Sequence, residues 1–394
     1  MIAFTFPGQG SQRPGMGAAW ADHPSWELVA EASEVTERDL AALLLHADAD
    51  ELVATQNAQL ATFLTSLVVL DAVERTGVEP ARVAGHSLGE YTALVAAGAV
   101  SFEDGVRLVS ERGDAMRLAA EERDGTMAAV LGLDDDKVEA ACARVDGDVW
   151  VANFNAPGQV VIAGEPASIE AAGAAAREMG AKRVMALPVG GAFHTPFMAP
   201  ARDRLRKALD TTEWRDPAIP VHANVDALPH ASGRDWAGLL SAQLCSPVRW
   251  RQTLHELDHA GVTTFVELGP GTVLTGMAKR TVKGARTLSV TSPTELDALL
   301  ESLSNHPATG AGDVGQRDGE HLFATERMVV SPAAGIFTPA DGLDAGTAIG
   351  AGHLIGRVGD HEVRSAFEGT VMGFLAVEGE RITTSQPIAW LRTA

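Results

Sequence analysis

Cysteine is scarce: only Cys142 and Cys245 occur in 394 residues. Two thiols cannot build a disulfide framework or a cysteine-lined zinc site, and they suit a reducing cytoplasm. Positive charge is also short. Lys and Arg number 31 against 52 Asp and Glu, a formal net charge of −21 with His neutral. A surface of that sign repels nucleic-acid phosphates, so DNA and RNA are poor candidate partners. Long apolar runs are missing too. The most apolar stretch, residues 60–73, is interrupted by Thr62, Thr65, Ser66 and Asp71, and is too short and too polar to span a bilayer. The opening MIAFTFPGQG has no basic segment and turns into Pro-Gly after a brief apolar run, which reads as a buried strand and not as a targeting leader. These absences point to a cytoplasmic chain with no membrane and no nucleic-acid partner. What is plentiful is small apolar residues. With 46% hydrophobic and 21% charged residues, the composition is that of a globular protein, and the length suits two or three domains.

The rhythm of the chain changes along its length. Up to about residue 124, short apolar runs alternate with helical patterns: a strand at Ile2–Phe6, apolar residues at helical spacing over Trp26–Leu45 and Ala58–Thr76, a short strand at Arg82–Ala84 and a helix to about Ala97. Alternation of this kind predicts a parallel α/β sheet. Residues 126–190 read as β-α-β-β-α-β, the order of a ferredoxin-like subdomain, inserted because helix–strand alternation resumes from residue 195 to about 290. The polar, glycine-rich segment 303–320 reads as a linker between a domain at 1–302 and a tail at 321–394. The tail repeats itself weakly. Val329, Ser331 and Gly335 recur 34 residues later as Val363, Ser365 and Gly369, which suggests two similar β-halves packed into one small all-β domain.

Gly85-His86-Ser87-Leu88-Gly89 fits the G-x-S-x-G nucleophile elbow. The chemistry needs a serine on a tight strand-to-helix turn with its hydroxyl exposed, and glycines flank it because bulkier neighbours would clash. The helix that follows aims N–H groups at the site, and the N–H of Leu88 is placed to bind an oxyanion. The same five residues also fit an ordinary glycine-rich βα turn. A serine nucleophile needs a base, and His194, in GGAFHTPFM between a predicted strand and a helix, stands at a loop where α/β active sites collect. The late histidines His353 and His361 lie beyond the linker, which argues against an ordinary α/β-hydrolase. Phe6-Pro7-Gly8-Gln9-Gly10 follows the first strand and, taken alone, is a strand-ending turn.

FPGQGSQ, GHSLGEY, the ERG at 111–113, NFNAPGQVVIAG, GAFHTPFM, SPVRW and VELGPGTVLTGMAKR occur in that order. Together they resemble the malonyl-CoA:acyl-carrier-protein transacylase family over about residues 1–300. The resemblance implies a hydrolase-like α/β domain with an inserted ferredoxin-like subdomain. It implies Ser87 as nucleophile and His194 as base, the N–H groups of Gln9 and Leu88 as oxyanion hole, and Arg112 as the grip on the malonyl carboxylate. It also implies that the main-chain carbonyl of Gln243 orients the histidine in place of a triad acid, and that Phe193 marks a preference for malonyl over branched acyl groups. Malonyl-CoA and an acyl carrier protein are the partners so implied, with no metal and no redox cofactor. Arg112 has an independent rationale: a guanidinium offers two parallel donors to a carboxylate, although a surface helix arginine in an i,i+4 pair fits the same spacing.

The tail, through VVSPAAGIF, VRSAFEGTV, VEGERI and PIAWL, is similar to a biotinyl/lipoyl carrier domain over about residues 327–392. Such carriers are modified on a lysine in the hairpin between the halves. Here that hairpin reads Arg357-Val358-Gly359-Asp360, and no lysine follows Lys283. With no amine to acylate, the tail reads as a docking module. Two basic runs remain as candidate docking surfaces: Lys279–Arg286, with four cations in eight residues, and Arg202, Arg204, Arg206 and Lys207. A serine hydrolase or editing thioesterase and a catalytically idle scaffold are the rival readings; Arg112 argues against the first, and intact Ser87, His194 and Arg112 argue against the second.

Overall fold

The structure, a computed structural model, describes residues 1–304, 326–340, 342–365, 367–382 and 387–392. The chain divides into two compact units, Met1–Ala311 and Gly312–Ala394. The expected linker lies, from residue 305 on, outside the described residues.

Ten strands run through the first unit: β1 (Ile2–Phe6), β2 (Arg82–Gly85), β3 (Thr126–Leu131), β4 (Val149–Ala156), β5 (Gln159–Gly164), β6 (Arg183–Ala186), β7 (Val221–His222), β8 (Pro229–His230), β9 (Thr264–Leu268) and β10 (Arg286–Val290). Six of them form one sheet in the order β10-β9-β1-β2-β7-β8. Neighbours are parallel except for the β7–β8 hairpin, so the sheet is mixed and not wholly parallel. β1 and β9 are central and buried along nearly their whole length, because helices cover both faces of a parallel sheet.

The apolar stretch 60–73 belongs to the helix Thr55–Glu74, which is buried on nearly all sides and carries its threonines and serine into the core. No helix among the described residues is long and apolar enough to cross a membrane. The helical periodicity over Trp26–Leu45 hides a break. Helix Glu27–Thr36 ends at Glu37, whose φ of 53° is left-handed, and a new helix, Leu40–His46, starts where the Asp39 carboxylate accepts from the Ala42 N–H. Apolar spacing survives such a break, since both helices face one core.

Strands β3 to β6 form a separate antiparallel sheet in the order β4-β5-β3-β6. Side chains alternate across it. Val130, Val160 and Ile162 pack under the helices Asp135–Ala143 and Pro166–Glu178, while Met127, Ala152 and Val161 join the main core. The second face therefore forms one wall of a cleft. The last strand of that run is short, Arg183–Ala186, an exposed edge strand that among the described residues pairs only with β3.

Among the described residues the second unit holds eight strands, Glu326–Val330, Gly335–Pro339, Ala348–Ile349, Leu354–Val358, His361–Arg364, Gly369–Phe374, Arg381–Ile382 and Pro387–Arg392, in two four-stranded sheets. Each sheet takes two strands from the first four and two from the last four. The repeat is visible in its hydrogen bonds. Ser331 donates to the Ala333 carbonyl at 2.5 Å and accepts from its N–H, and Ser365 does the same with Phe367 at 2.6 Å. Phe337, Ile355, Val371 and Ile388 fill the core between the sheets.

Candidate active site

β1 and β2 end side by side, Phe6 opposite Gly85, so the loops that leave them meet at the carboxyl edge of the sheet. Glycine is required where they touch. A Cβ on Gly8 would sit 2.5 Å from the His86 carbonyl oxygen. One on Gly85 would sit 1.8 Å from the Gly89 carbonyl oxygen, and one on Gly89 would sit 2.1 Å from that of Phe6. The flanking glycines of the elbow motif thus serve two different contacts, one inside the turn and one between the helix Gly89–Ala96 and β1. Ser87 has a φ of 52°, a strained region for a residue with a side chain. Asn224 braces it: its Oδ1 accepts from the Ser87 N–H at 2.6 Å, and its Nδ2 donates to the Gly85 carbonyl at 2.7 Å. The N–H groups of Gln9 and Leu88 lie on the two converging turns and donate to no backbone acceptor among the described residues.

Ser87 Oγ lies 2.7 Å from His194 Nε2, and His194 Nδ1 lies 2.9 Å from the main-chain oxygen of Gln243. A carbonyl oxygen only accepts, so Nδ1 carries the proton and Nε2 faces the serine hydroxyl with its lone pair. Arg112, on the helix Phe102–Glu122, is only 1% exposed. It donates to Gln59 Oε1 at 2.7 Å, to Gln243 Oε1 at 2.9 Å and to Ser87 Oγ at 3.1 Å. All three partners are neutral, and no carboxylate forms an ion pair with Arg112 among the described residues. Phe193 is buried beside these groups and lines the same cavity of about 210 Å³, whose apolar wall includes Met116, Met127 and Val161. All the residues expected from sequence for the site, Gln9, Ser87, Leu88, Arg112, Phe193, His194 and Gln243, are brought together. Sequence reasoning missed Gln59, Glu90 and Asn224. Glu90 stood inside a quoted motif with no chemistry assigned to it, and Gln59 and Asn224 carried no local signal.

Burial and the nearby Arg112 charge lower the His194 pKa to about 3, so the imidazole is neutral. Burial pushes Glu90 up to about 8, against the Asn224 N–H, the Gln243 amide and the Arg112 charge. A neutral base on a serine, two N–H donors and a buried cation suit covalent transfer of an acyl group that carries a negative charge. Among the described residues no group of three or more His, Cys, Asp or Glu side chains is placed to hold a metal ion.

The two basic runs differ. Arg202, Arg204 and Arg206 are paired with Asp203, Glu111 and Asp210 at 2.8, 2.5 and 2.6 Å, which corrects the reading of that run as a free cationic face. Lys279 and Lys283 form no ion pair among the described residues. The helix that carries Lys279, Val273–Thr281, also lines the cavity through Val273, Leu274 and Met277.

The acyl transferase domain profile matches residues 3–299. The malonyl CoA-acyl carrier protein transacylase of Bacillus subtilis is 42% identical over 307 residues, 77% of this chain and 97% of that protein. The enzyme of the same name from Escherichia coli K12 is 44% identical over 306 residues, 76% of this chain and 99% of that protein. The chain belongs to the malonyl-CoA:acyl-carrier-protein transacylase family. Among solved structures, a malonyl-transacylase in complex with its type II polyketide-synthase acyl carrier protein is 40% identical, with a TM-score of 0.74, over 76% of this chain and 99% of that one. The family match takes in the whole site and stops short of the C-terminal unit.

Two expectations follow. Gly85→Ala should cost roughly 3 kcal/mol or more, because backbone must move to admit the methyl group. Gly98→Ala, at a φ of 69° with nothing within 4 Å of the added carbon, should cost only about 1 kcal/mol. Urea midpoints compare the two. The free enzyme's His194 is neutral down to about pH 3. Its kcat/KM should therefore show no histidine-like fall through pH 6.5 as the pH is lowered to about 5, read from initial rates. Stability, unlike the rate, does change there: the unfolded chain takes up a proton below about pH 6.5 that folded His194 refuses until about 3, so this group weakens the fold as pH falls through that window.

Proposed function

We propose that this chain moves a malonyl group from malonyl-CoA to the phosphopantetheine thiol of an acyl carrier protein, in fatty-acid or polyketide synthesis, through a malonyl ester on Ser87. The observation that carries this reading is the Arg112 guanidinium, buried without a counter-charge 3.1 Å from Ser87 Oγ. A substrate carboxylate supplies the missing charge. Its pairing also removes the cation's depression of His194, so a malonyl group strengthens the base that an acetyl group leaves weak. His194 takes the Ser87 proton as Oγ attacks the thioester carbonyl. The oxyanion falls to the N–H groups of Gln9 and Leu88, on the order of 3 kcal/mol per donor. The carbon–sulfur bond breaks, CoA leaves with the proton from His194, and the carrier thiol reverses the sequence. No step calls for a metal or a redox cofactor. Phe193 narrows the space beside the acyl group and favours malonyl over branched acyl groups.

The free thiols of Cys142 and Cys245 fit a cytoplasmic setting. Lys279, on the helix Val273–Thr281 that lines the cavity, and Lys283 just after it form no ion pair among the described residues and fit the steering of an acidic carrier or of CoA phosphates. The C-terminal unit fits a biotinyl/lipoyl-like domain that has lost its modification site and serves docking. Its halves join at a two-residue turn, Gly359-Asp360, with no amine beside it.

Intact mass after mixing with malonyl-CoA tests the chemistry. The wild type should gain one malonyl group and Ser87→Ala none. His194→Ala should load on the order of 100-fold more slowly or worse, and Arg112→Ala should lose malonyl in favour of acetyl. An unchanged adduct in Ser87→Ala refutes the nucleophile, and free malonate without adduct indicates a hydrolase. For steering, the Lys279→Glu, Lys283→Glu double variant should transfer to the carrier several-fold more slowly at low salt and approach wild type at high salt. Equal rates at every ionic strength would remove this surface from docking.

A further inference from the structure

Glu90 is 1% exposed, and both of its carboxyl oxygens are engaged. Oε1 accepts from the Asn224 main-chain N–H at 3.0 Å, and Oε2 accepts from Gln243 Nε2. These two partners come from chain segments well separated from the elbow, and each touches the reacting groups. Asn224 holds the Ser87 N–H and the Gly85 carbonyl. The Gln243 side chain donates to the Ser87 carbonyl at 2.9 Å and accepts from Arg112, and its main-chain oxygen holds His194.

We propose that Glu90 is a positioning residue for acyl transfer, which fixes the Gln243 amide and the Asn224 brace and so sets the strained serine, its base and the Arg112 guanidinium together. The orientation of Gln243 decides the case. With Nε2 towards Glu90 and the Ser87 carbonyl, its oxygen faces Arg112. Turned over, its NH2 would meet a guanidinium donor, and its oxygen would meet two acceptors. Glu90 supplies one of the two acceptors that forbid the turn. It is also the only one of them carried by a side chain, and thus open to substitution. Replacing one of its oxygens by an NH2 group sets donor against donor at either Gln243 or Asn224. The reaction chemistry is unchanged, since Glu90 reaches neither the acyl group nor the nucleophile.

This proposal rests on the malonyl-serine reading, and a wild-type enzyme that takes no malonyl adduct would remove that reading first. With loading established, Glu90→Gln is compared with wild type per titratable serine, using a burst of malonyl loading and the rate of modification by a neutral sulfonyl fluoride. The ratio of malonyl to acetyl kcat/KM should fall at least tenfold, because Arg112 loses its fixed acceptor. Modification by the neutral reagent, which has no carboxylate, should slow several-fold through the loosened elbow and histidine. A residue that only stabilises the fold would lower the titratable fraction and the melting temperature and leave both ratios at their wild-type values. That result overturns the proposal. Should Glu90→Gln not fold, Glu90→Asp, which keeps the carboxyl group and shortens its reach, is read the same way, and wild-type ratios there overturn it equally.

Discussion

Ser87 holds a left-handed backbone conformation that costs a residue with a side chain about 1–2 kcal/mol, and much of the surrounding structure keeps it there. Gly85 and Gly89 give up their side chains so that the turn can close to the distances it does. Gly8 lets the neighbouring loop cross the turn. Asn224 holds both sides of the turn by hydrogen bonds, and Gln243 holds the serine carbonyl. Relax the serine and its hydroxyl leaves both His194 and Arg112. The elbow motif records this constraint as spacing, which explains why it can be read in a linear sequence at all.

The legible parts of this protein were those set by local geometry or by strict order along the chain. The strand Ile2–Phe6, the β-α-β-β-α-β run and the strand β5 could be read because period-two and helical patterns act over a few residues. Six of the seven motifs sit at a strand or loop end, where a backbone requirement leaves a glycine or proline behind, and the seventh, the ERG at 111–113, lies inside the helix Phe102–Glu122. The break at Glu37 was invisible, since both helices bury their apolar residues in the same core and the pattern runs on across it. The antiparallel β7–β8 edge carries only two residues per strand, too few to show alternation. Gln59 and Asn224 act through contacts 53 and 137 residues away, which no local pattern encodes. The arginines at 202, 204 and 206 looked like a cationic face because their carboxylate partners were not weighed with them, and one of those, Glu111, lies far off in sequence.

The C-terminal unit shows how a fold and a chemical group separate. Its two halves keep equivalent buried serines with equivalent hydrogen bonds, so the twofold plan is written in the backbone. The core of Phe337, Ile355, Val371 and Ile388 depends on that plan and on nothing at the turn between the halves. A turn residue can therefore change without disturbing the packing.

The uncompensated guanidinium gives the catalytic cycle an electrical signature. Before loading, the buried pocket contains one positive charge that its neutral hydrogen-bond partners do not cancel. On the function proposed above, a malonyl ester on Ser87 brings one negative charge to it. Empty and charged forms of the enzyme thus differ by one unit in a region of low polarisability, where fields are weakly screened. On that reading, loading changes the net charge of the pocket with no moving part.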